Sequence, residues 1–145
     1  MNENIKIDYS FIIPAYNEEA YLPKTLASLK NAMNAIGEFR GEIIVTNNNS
    51  TDRTAAIAEA YGARVVFEKH RQISRARNAG AKEALGRFLI FVDSDTTISP
   101  VLLKKTLTAI GSGDCCGGGT IAKFDGHLPF LAKFALIVWL LLSRT

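Results

Sequence analysis

The chain has 145 residues, of which 48% are hydrophobic and 21% charged, which suits one folded domain and excludes a disordered or fibrous protein. Its 17 basic and 14 acidic residues give a formal charge of +3, so the charge predicts no nucleic-acid partner. The adjacent Cys115 and Cys116 cannot join distant segments and show no metal-binding spacing. Residues 1–8 lack the apolar stretch of a signal peptide. We therefore expect a cytoplasmic protein.

Short β-branched runs alternate with longer amphipathic ones, which predicts an α/β fold with a mostly parallel sheet flanked by helices. The predicted strands cover residues 9–13, 42–46, 64–67, 88–92 and, more weakly, 117–122. The predicted helices cover residues 22–36, 51–61, 74–85 and 100–110.

Several residues mark where these helices begin and end. Gly37 is expected to end the first helix, Ser50 or Thr51 to cap the second, and Ser99 to cap the fourth. Gly80 lies inside the third helix, where glycine costs about 1 kcal/mol relative to alanine. We expect close packing or a nearby ligand to offset that cost.

Three of the predicted strands are followed by polar segments, at residues 14–19, 47–52 and 93–95. Ligands of parallel α/β sheets bind outside the carboxyl ends of the strands. Because these ends lie at one edge of such a sheet, the three segments are expected to open onto a common site.

Asp93 and Asp95 follow the fourth strand with one residue between them. If the extended conformation continues, both carboxylates project from the same face and repel each other, and a divalent cation such as Mg²⁺ or Mn²⁺ would relieve the repulsion. Alternatively, these acids cap the next turn or helix.

Positive charge is concentrated before and within the start of the third helix, where backbone N–H groups also favour an anion. The residues concerned are Lys69, His70, Arg71, Arg75 and Arg77. A diphosphate would suit this corner, whereas a solvated helix face is the alternative. The P-loop pattern is missing, and Gly111 and Gly113 follow a helix instead of opening one, which excludes a dinucleotide fingerprint.

Residues 130–142 are almost continuously apolar, interrupted by Lys133, and are shorter than the roughly 20 residues that span a bilayer. A buried helix, a helix at a membrane surface and a shortened spanning segment remain open. We expect residues 1–127 to form the α/β domain and residues 128–145 a separate apolar helix. Its segment 128–142 would contact a membrane surface or drive self-association.

Four blocks together, at residues 11–19, 42–52, 76–80 and 91–95, resemble the nucleotide-sugar-binding half of family 2 glycosyltransferases. Their sequences are FIIPAYNEE, EIIVTNNNSTD, ARNAG and FVDSD. The resemblance extends from residue 9 to about residue 120, with the blocks in the family's order and spacing.

The resemblance implies a Rossmann-like glycosyltransferase A fold, in which the strand order reverses between the first and fourth strands and the donor nucleotide lies across that point. It implies that Tyr16 and its neighbours hold the base and ribose, that Asn48 stands where an acidic residue binds the nucleobase, and that Asp95 ligates the metal. The donor site is then expected to comprise Pro14, Ala15, Tyr16, Glu18, Asn47, Asn48, Arg77, Asn78, Asp93, Ser94 and Asp95, with Asp93 and Asp95 as the metal ligands.

The implied activity is inverting transfer of a sugar from a UDP- or GDP-linked donor to an acceptor hydroxyl, assisted by Mg²⁺ or Mn²⁺. Two departures from the family stand out. Asn47 and Asn48 replace the more usual aspartates, and no general base is identified, because the family's base and acceptor elements usually lie beyond Thr145. We therefore expect a shortened chain, peripheral at the inner membrane face if the apolar segment binds lipid.

Two other functions remain open. A non-catalytic nucleotide-sugar-binding module would explain the missing base and the asparagines. A sugar nucleotidyltransferase is the weaker alternative, since its glycine-rich loop with following basic residues is not found after the first strand.

Overall fold

A computed structural model describes residues 6–120 of the chain. The strands are β1 (Tyr9–Ala15), β2 (Gly41–Asn47), β3 (Arg64–Phe67) and β4 (Phe88–Phe91). The helices are α1 (Leu22–Ile36), α2 (Thr54–Ala60), α3 (Ile73–Lys82) and α4 (Pro100–Gly111). The chain divides into two compact units, Met1–Cys115 and Cys116–Thr145. All eight elements belong to the first unit, and residues 116–120 of the second have no regular secondary structure.

The four strands form one parallel sheet in the order β3-β2-β1-β4. The chain moves outward from β1 to β3 and then returns to the other side of β1 with β4, so the order reverses between β1 and β4. All four carboxyl ends point the same way. The predicted α/β class and the reversal between the first and fourth strands are confirmed.

One face of the sheet is covered by α1 and carries the main apolar core. All residues of β1 are buried, and Phe11 and Ile13 pack in the same cluster as Leu26 and Leu29 of α1. The apolar stripe predicted for the first helix is therefore its inward face. Gly37 ends α1 in the left-handed conformation with φ of 37°, as its position predicts.

The opposite face of the sheet is covered by α3, which approaches β1 and β2 at Gly80. A Cβ added to Gly80 would lie 2.7 Å from Ile12 Cγ2 and 2.6 Å from Thr46 Oγ1. These distances are shorter than van der Waals contact, so only glycine fits here. Close packing on the sheet is thus the compensation expected for this helical glycine.

The structure differs from the sequence prediction at several boundaries. β3 has the predicted bounds, β1 and β2 extend two and one residues further at their carboxyl ends, and β4 ends one residue earlier. The weak strand predicted at 117–122 is wrong for residues 117–120, which form none; residues 121–122 lie outside the described part. The apolar helix and the division predicted at residue 128 also lie outside it. Among the residues that the structure describes, no helix combines the length and apolar content needed to cross a membrane.

The second helix begins at Thr54 instead of residue 51, so the predicted caps Ser50 and Thr51 are wrong. These two residues bond to the loop after β1, and Arg53 is the N-cap. The fourth helix begins as predicted, because the Ser99 side chain accepts a hydrogen bond from the Leu102 amide at 3.2 Å.

Candidate functional site

The loops that follow β1 and β2 are joined by direct hydrogen bonds. The Asn17 amide donates to Ser50 Oγ at 3.1 Å, and Asn17 Oδ1 accepts from the Thr51 amide at 2.8 Å. Asn17 has φ of 53°, a left-handed conformation that asparagine tolerates better than most residues. The two polar segments predicted to open onto one edge therefore form one connected surface.

Asp52, in the loop after β2, adds further hydrogen bonds between the two loops. Its Oδ2 accepts from the Glu19 amide at 3.1 Å, and its Oδ1 accepts from the Thr54 amide at 2.9 Å and from Thr54 Oγ1 at 2.5 Å. Burial alone would raise the pKa of Asp52, but these hydrogen bonds to the charged form outweigh it and lower that pKa. Asp52 is thus an ionised anchor at the start of α2.

Thr54 links the same anchor to Glu18, since its Oγ1 accepts from the Glu18 amide at 2.9 Å. The sequence prediction missed Thr54 because it placed the start of α2 three residues too early. A short-range sequence pattern identifies Thr54: an aspartate stands two residues before a threonine. In this pattern the Asp52 carboxylate accepts a hydrogen bond from the Thr54 amide, the first free amide of the helix.

Glu18 connects the β1 loop to the loop after β4. Burial raises the pKa of Glu18, a hydrogen bond from the Ser94 side chain lowers it, and the negative charges of Asp95 and Asp52 raise it further, with a net upward shift. Hydrogen bonds join segments 14–19 and 47–52, and the effect of Ser94 and Asp95 on the pKa of Glu18 indicates that segment 93–95 lies beside them at the same edge of the sheet.

The loop after β4 does not continue the extended strand conformation. The Thr96 amide donates to the Asp93 carbonyl at 3.0 Å, so residues 93–96 form a turn. The condition for placing Asp93 and Asp95 on one strand face is thus not met. Instead, Asp93 Oδ1 accepts from Arg77 Nη2 at 2.7 Å, whereas Asp95 interacts electrostatically with Glu18.

Arg77 extends from α3 to the carboxyl edge of the sheet. The close contact of Gly80 with the sheet fixes the position of α3. Within residues 6–120, Arg77 Nε is buried and has no hydrogen-bond partner, although the guanidinium pairs with Asp93. A buried donor without an acceptor is costly. Because a ligand cannot reach this nitrogen, the exposed 40% of the Arg77 side chain is the candidate contact for an anionic oxygen. Asn78 is exposed on the same helix.

The donor chemistry at the end of β4 suits a hard divalent cation. Within residues 6–120, Asp95 is exposed and makes no ion pair, and no group of three or more histidine, cysteine or acidic side chains could hold a metal ion. Mg²⁺ at a phosphate site needs only one or two carboxylates, because phosphate oxygens and waters complete its shell. Asp95, with Glu18 beside it, fits that pattern; Asp93 is already paired with Arg77.

Residues 68–72, which we call the basic loop, border the site from the side of β3 and α3. The guanidinium of Arg71 lies over the ring of Tyr16, 4.7 Å from its centroid, and 40% of Tyr16 is exposed. Arg75 Nε donates to Gln72 Oε1 at 3.0 Å. The predicted cluster of basic residues therefore separates into two groups. Arg71 and Arg77 line the edge of the site, whereas Arg75 is hydrogen-bonded to Gln72 at the beginning of α3.

The other predicted residues lie at the carboxyl ends of β1 and β2. Pro14 and Ala15 are buried in β1, paired with Thr46 and Asn47 of β2. Asn47 Oδ1 accepts from the Ser50 amide at 2.9 Å, and the Asn48 side chain is buried against the basic loop. Pro14, Ala15, Asn47 and Asn48 thus lie at one edge of the sheet, whereas Asn78 is only known to be exposed on α3.

The family model described as "Glycosyl transferase family 2" matches residues 10–135. The chain belongs to glycosyltransferase family 2. This confirms the resemblance drawn from the four sequence blocks. A family 2 relative in Bacillus subtilis (strain 168), the putative glycosyltransferase EpsH, is 33% identical over 108 residues, covering 70% of this chain and 30% of EpsH.

Solved structures of this family share the fold. S. aureus TarS 1-349 in complex with UDP matches with a TM-score of 0.61 and 28% identity, over 80% of this chain and 38% of that one. Glucosyl-3-phosphoglycerate synthase from Mycobacterium tuberculosis, crystallised with Mn²⁺, UDP and glucosyl-3-phosphoglycerate, matches with a TM-score of 0.60 and 25% identity, over 74% of this chain and 41% of that one. The chain spans 12 to 59% of the length of eight curated relatives that it matches.

Proposed function

We propose that this chain binds a UDP-linked sugar at the carboxyl edge of β1, β2 and β4 and provides the donor half of an inverting, metal-assisted glycosyltransferase. The observation that carries the proposal is that the loops after β1 and β2 are hydrogen-bonded to each other at the edge where β4 also ends, beside the point where the strand order reverses. Family membership supports the chemistry, and the two UDP-bound neighbours favour UDP over GDP.

Each predicted residue is assigned a role by its place in this edge. Tyr16 would contact the nucleobase beside Arg71, Asp93 would lie near the ribose, and the exposed part of the Arg77 guanidinium would face the phosphates. Pro14, Ala15, Asn47, Asn48, Asn78 and Ser94 complete the proposed site.

Asp95 would hold Mg²⁺ or Mn²⁺ with Glu18 beside it, and Asp93, the second ligand predicted from the sequence, would have to leave Arg77 to join them. When bound, the cation supplies charge that stabilises the departing nucleoside diphosphate. Arg77 adds a positive group on the other side of Asp93. The chain's own residues thereby orient the donor and favour loss of the diphosphate, while an acceptor hydroxyl attacks the anomeric carbon from the opposite side.

We assign no general base within residues 6–120. The alternative proposal, a nucleotide-sugar-binding module without turnover, rests on this point. Residues 1–127 would be the donor-binding domain in either case. A cytoplasmic location, with residues 128–142 at the inner membrane surface or in a self-association contact, is the corresponding proposal for the apolar segment.

The test is calorimetric titration of the full chain with UDP and GDP, with and without MnCl₂. We expect UDP to bind, and Mn²⁺ to strengthen binding by at least about tenfold. Asp95→Ala should remove the Mn²⁺ effect. Asp114→Ala is the matched control, because it deletes the same charge from an exposed loop after α4. Unchanged Mn²⁺-dependent binding in Asp95→Ala would refute the metal assignment.

A second measurement separates enzyme from binding module. Release of UDP from a panel of UDP-sugars is followed with and without simple hydroxyl acceptors. Turnover that requires Asp95 supports the enzyme. Binding of UDP without turnover assigns the chain to the module, and absence of any nucleotide binding contradicts both proposals.

A further inference from the structure

The side chain of Asn48 is almost completely buried, with 6% of the residue exposed. One orientation of the amide gives both of its polar groups a partner, and we assign that orientation: the nitrogen then donates to the His70 carbonyl at 2.5 Å and the oxygen accepts from the Gln72 amide at 3.2 Å. Both partners are backbone groups of the basic loop. Both the donor and the acceptor of the Asn48 side chain are therefore used in hydrogen bonds to the basic loop.

This pair of contacts requires an amide. An ionised aspartate only accepts hydrogen bonds, so at this position it would oppose the His70 carbonyl with a negative oxygen. The next residue makes a parallel contact, since Asn49 Nδ2 donates to the Lys69 carbonyl at 3.4 Å. Two consecutive asparagines thus donate to two consecutive carbonyls of the basic loop.

The held loop carries Arg71, whose guanidinium lies over the Tyr16 ring. Gln72 is the N-cap of α3, the helix that carries Arg77. The contact with Asn48 therefore fixes both the cation that covers Tyr16 and the beginning of the helix that reaches Asp93.

We infer that Asn48 is a positioning residue, which holds the basic loop so that Arg71 lies on Tyr16, and that its side chain does not contact the nucleobase. The inference rests on the proposed function for the nucleotide it serves, and it replaces the base contact that the family resemblance implied for this position. It also gives a physical reason for asparagine where an acidic residue is usual.

The test compares Asn48→Asp with Asn47→Asp in the full chain. The two substitutions add the same charge at neighbouring positions. Asn47 uses only its oxygen, as acceptor from the Ser50 amide, so aspartate can keep that bond. Only Asn48→Asp loses a donor. The comparison thereby separates the effect of the added charge, which both variants share, from the effect of losing the hydrogen bond to the His70 carbonyl.

The first readout is limited trypsin digestion without nucleotide, with cleavage after Lys69 and Arg71 quantified by mass spectrometry. We expect Asn48→Asp to be cleaved there at least about fivefold faster than the wild type and Asn47→Asp, because losing a buried hydrogen bond favours local opening. Cleavage elsewhere should stay unchanged. Equal cleavage in the loop for all three proteins would overturn the inference.

The second readout is the affinity for UDP and for CDP, which differ only in the base. A positioning role predicts that Asn48→Asp weakens both by the same factor. A changed UDP-to-CDP ratio shows contact with the base and overturns the inference. If the wild type binds neither, the proposed function fails and the digestion alone decides the inference. If Asn48→Asp does not fold by circular dichroism, Asn48→Ala carries the same expectations.

Discussion

Replacing Gly80 with alanine tests whether α3 is pressed against the sheet. The new Cβ would lie 2.6 Å from Thr46 Oγ1 and 2.7 Å from Ile12 Cγ2, and both of those residues are fully buried in the two central strands. Overpacking of this kind costs about 1–3 kcal/mol, whereas alanine in a helix interior returns about 1 kcal/mol relative to glycine. Because both contacts are far inside van der Waals distance, the cost here lies in the upper half of that range, about 2–3 kcal/mol, and we expect a net loss of about 1–2 kcal/mol in the free energy of unfolding.

The assay is urea denaturation followed by circular dichroism, with the thermal midpoint expected to fall by about 3–6 °C. Gly111→Ala is the matched control, because Gly111 is also helical and a Cβ there meets nothing within 4 Å. The control should be within about 0.5 kcal/mol of the wild type. Gly80→Ala as stable as this control would refute the close approach of α3. Because the displaced helix carries Arg77, UDP affinity should fall along with stability.

Two further predictions concern the charged groups of the site. Arg77→Ala removes a partly exposed ion pair with Asp93, so it should cost at most about 1 kcal/mol of stability in urea denaturation but lower UDP affinity by at least about tenfold; equal UDP affinity would contradict its role. The raised pKa of Glu18, caused first by burial and then by Asp95 and Asp52, means that its ionisation is less favourable in the folded state. Its contribution to stability is therefore complete below its ordinary pKa of 4.5 and is lost as pH rises through the raised value. As pH rises from 4.5, Glu18→Gln should avoid this loss, and identical pH profiles for Glu18→Gln and the wild type would contradict the assignment.

Much of the fold follows from local sequence patterns. β3 is bounded by its β-branched run, α1 by its apolar stripe and Gly37, and α4 by Ser99 and Pro100. These signals are short-range, so the sequence carries them without the tertiary structure. The glycine at position 80 also predicted close packing of the third helix, although only the structure identifies Ile12 and Thr46 as its neighbours.

The details of the site were less predictable, because they depend on contacts between distant segments. Periodicity placed the start of α2 at residue 51, but Thr51 bonds to Asn17, 34 residues away, and the helix begins later. The spacing of Asp93 and Asp95 suggested two ligands of one metal ion, whereas in the structure Asp93 is hydrogen-bonded to Arg77 of α3. No local pattern shows that the buried amide of Asn48 serves the basic loop.

On the proposed function, the loops after β1, β2 and β4 form one site for a nucleoside diphosphate and its cation. Nuclear magnetic resonance of the isotopically labelled chain with UDP tests it most directly, because substoichiometric Mn²⁺ broadens signals near the bound ion. We predict UDP-dependent broadening centred on the amides of Glu18 and residues 94–96, with smaller shifts at Tyr16 and Arg77. Broadening centred on Lys104 and Lys105 of α4, or an unchanged spectrum, would contradict the claim.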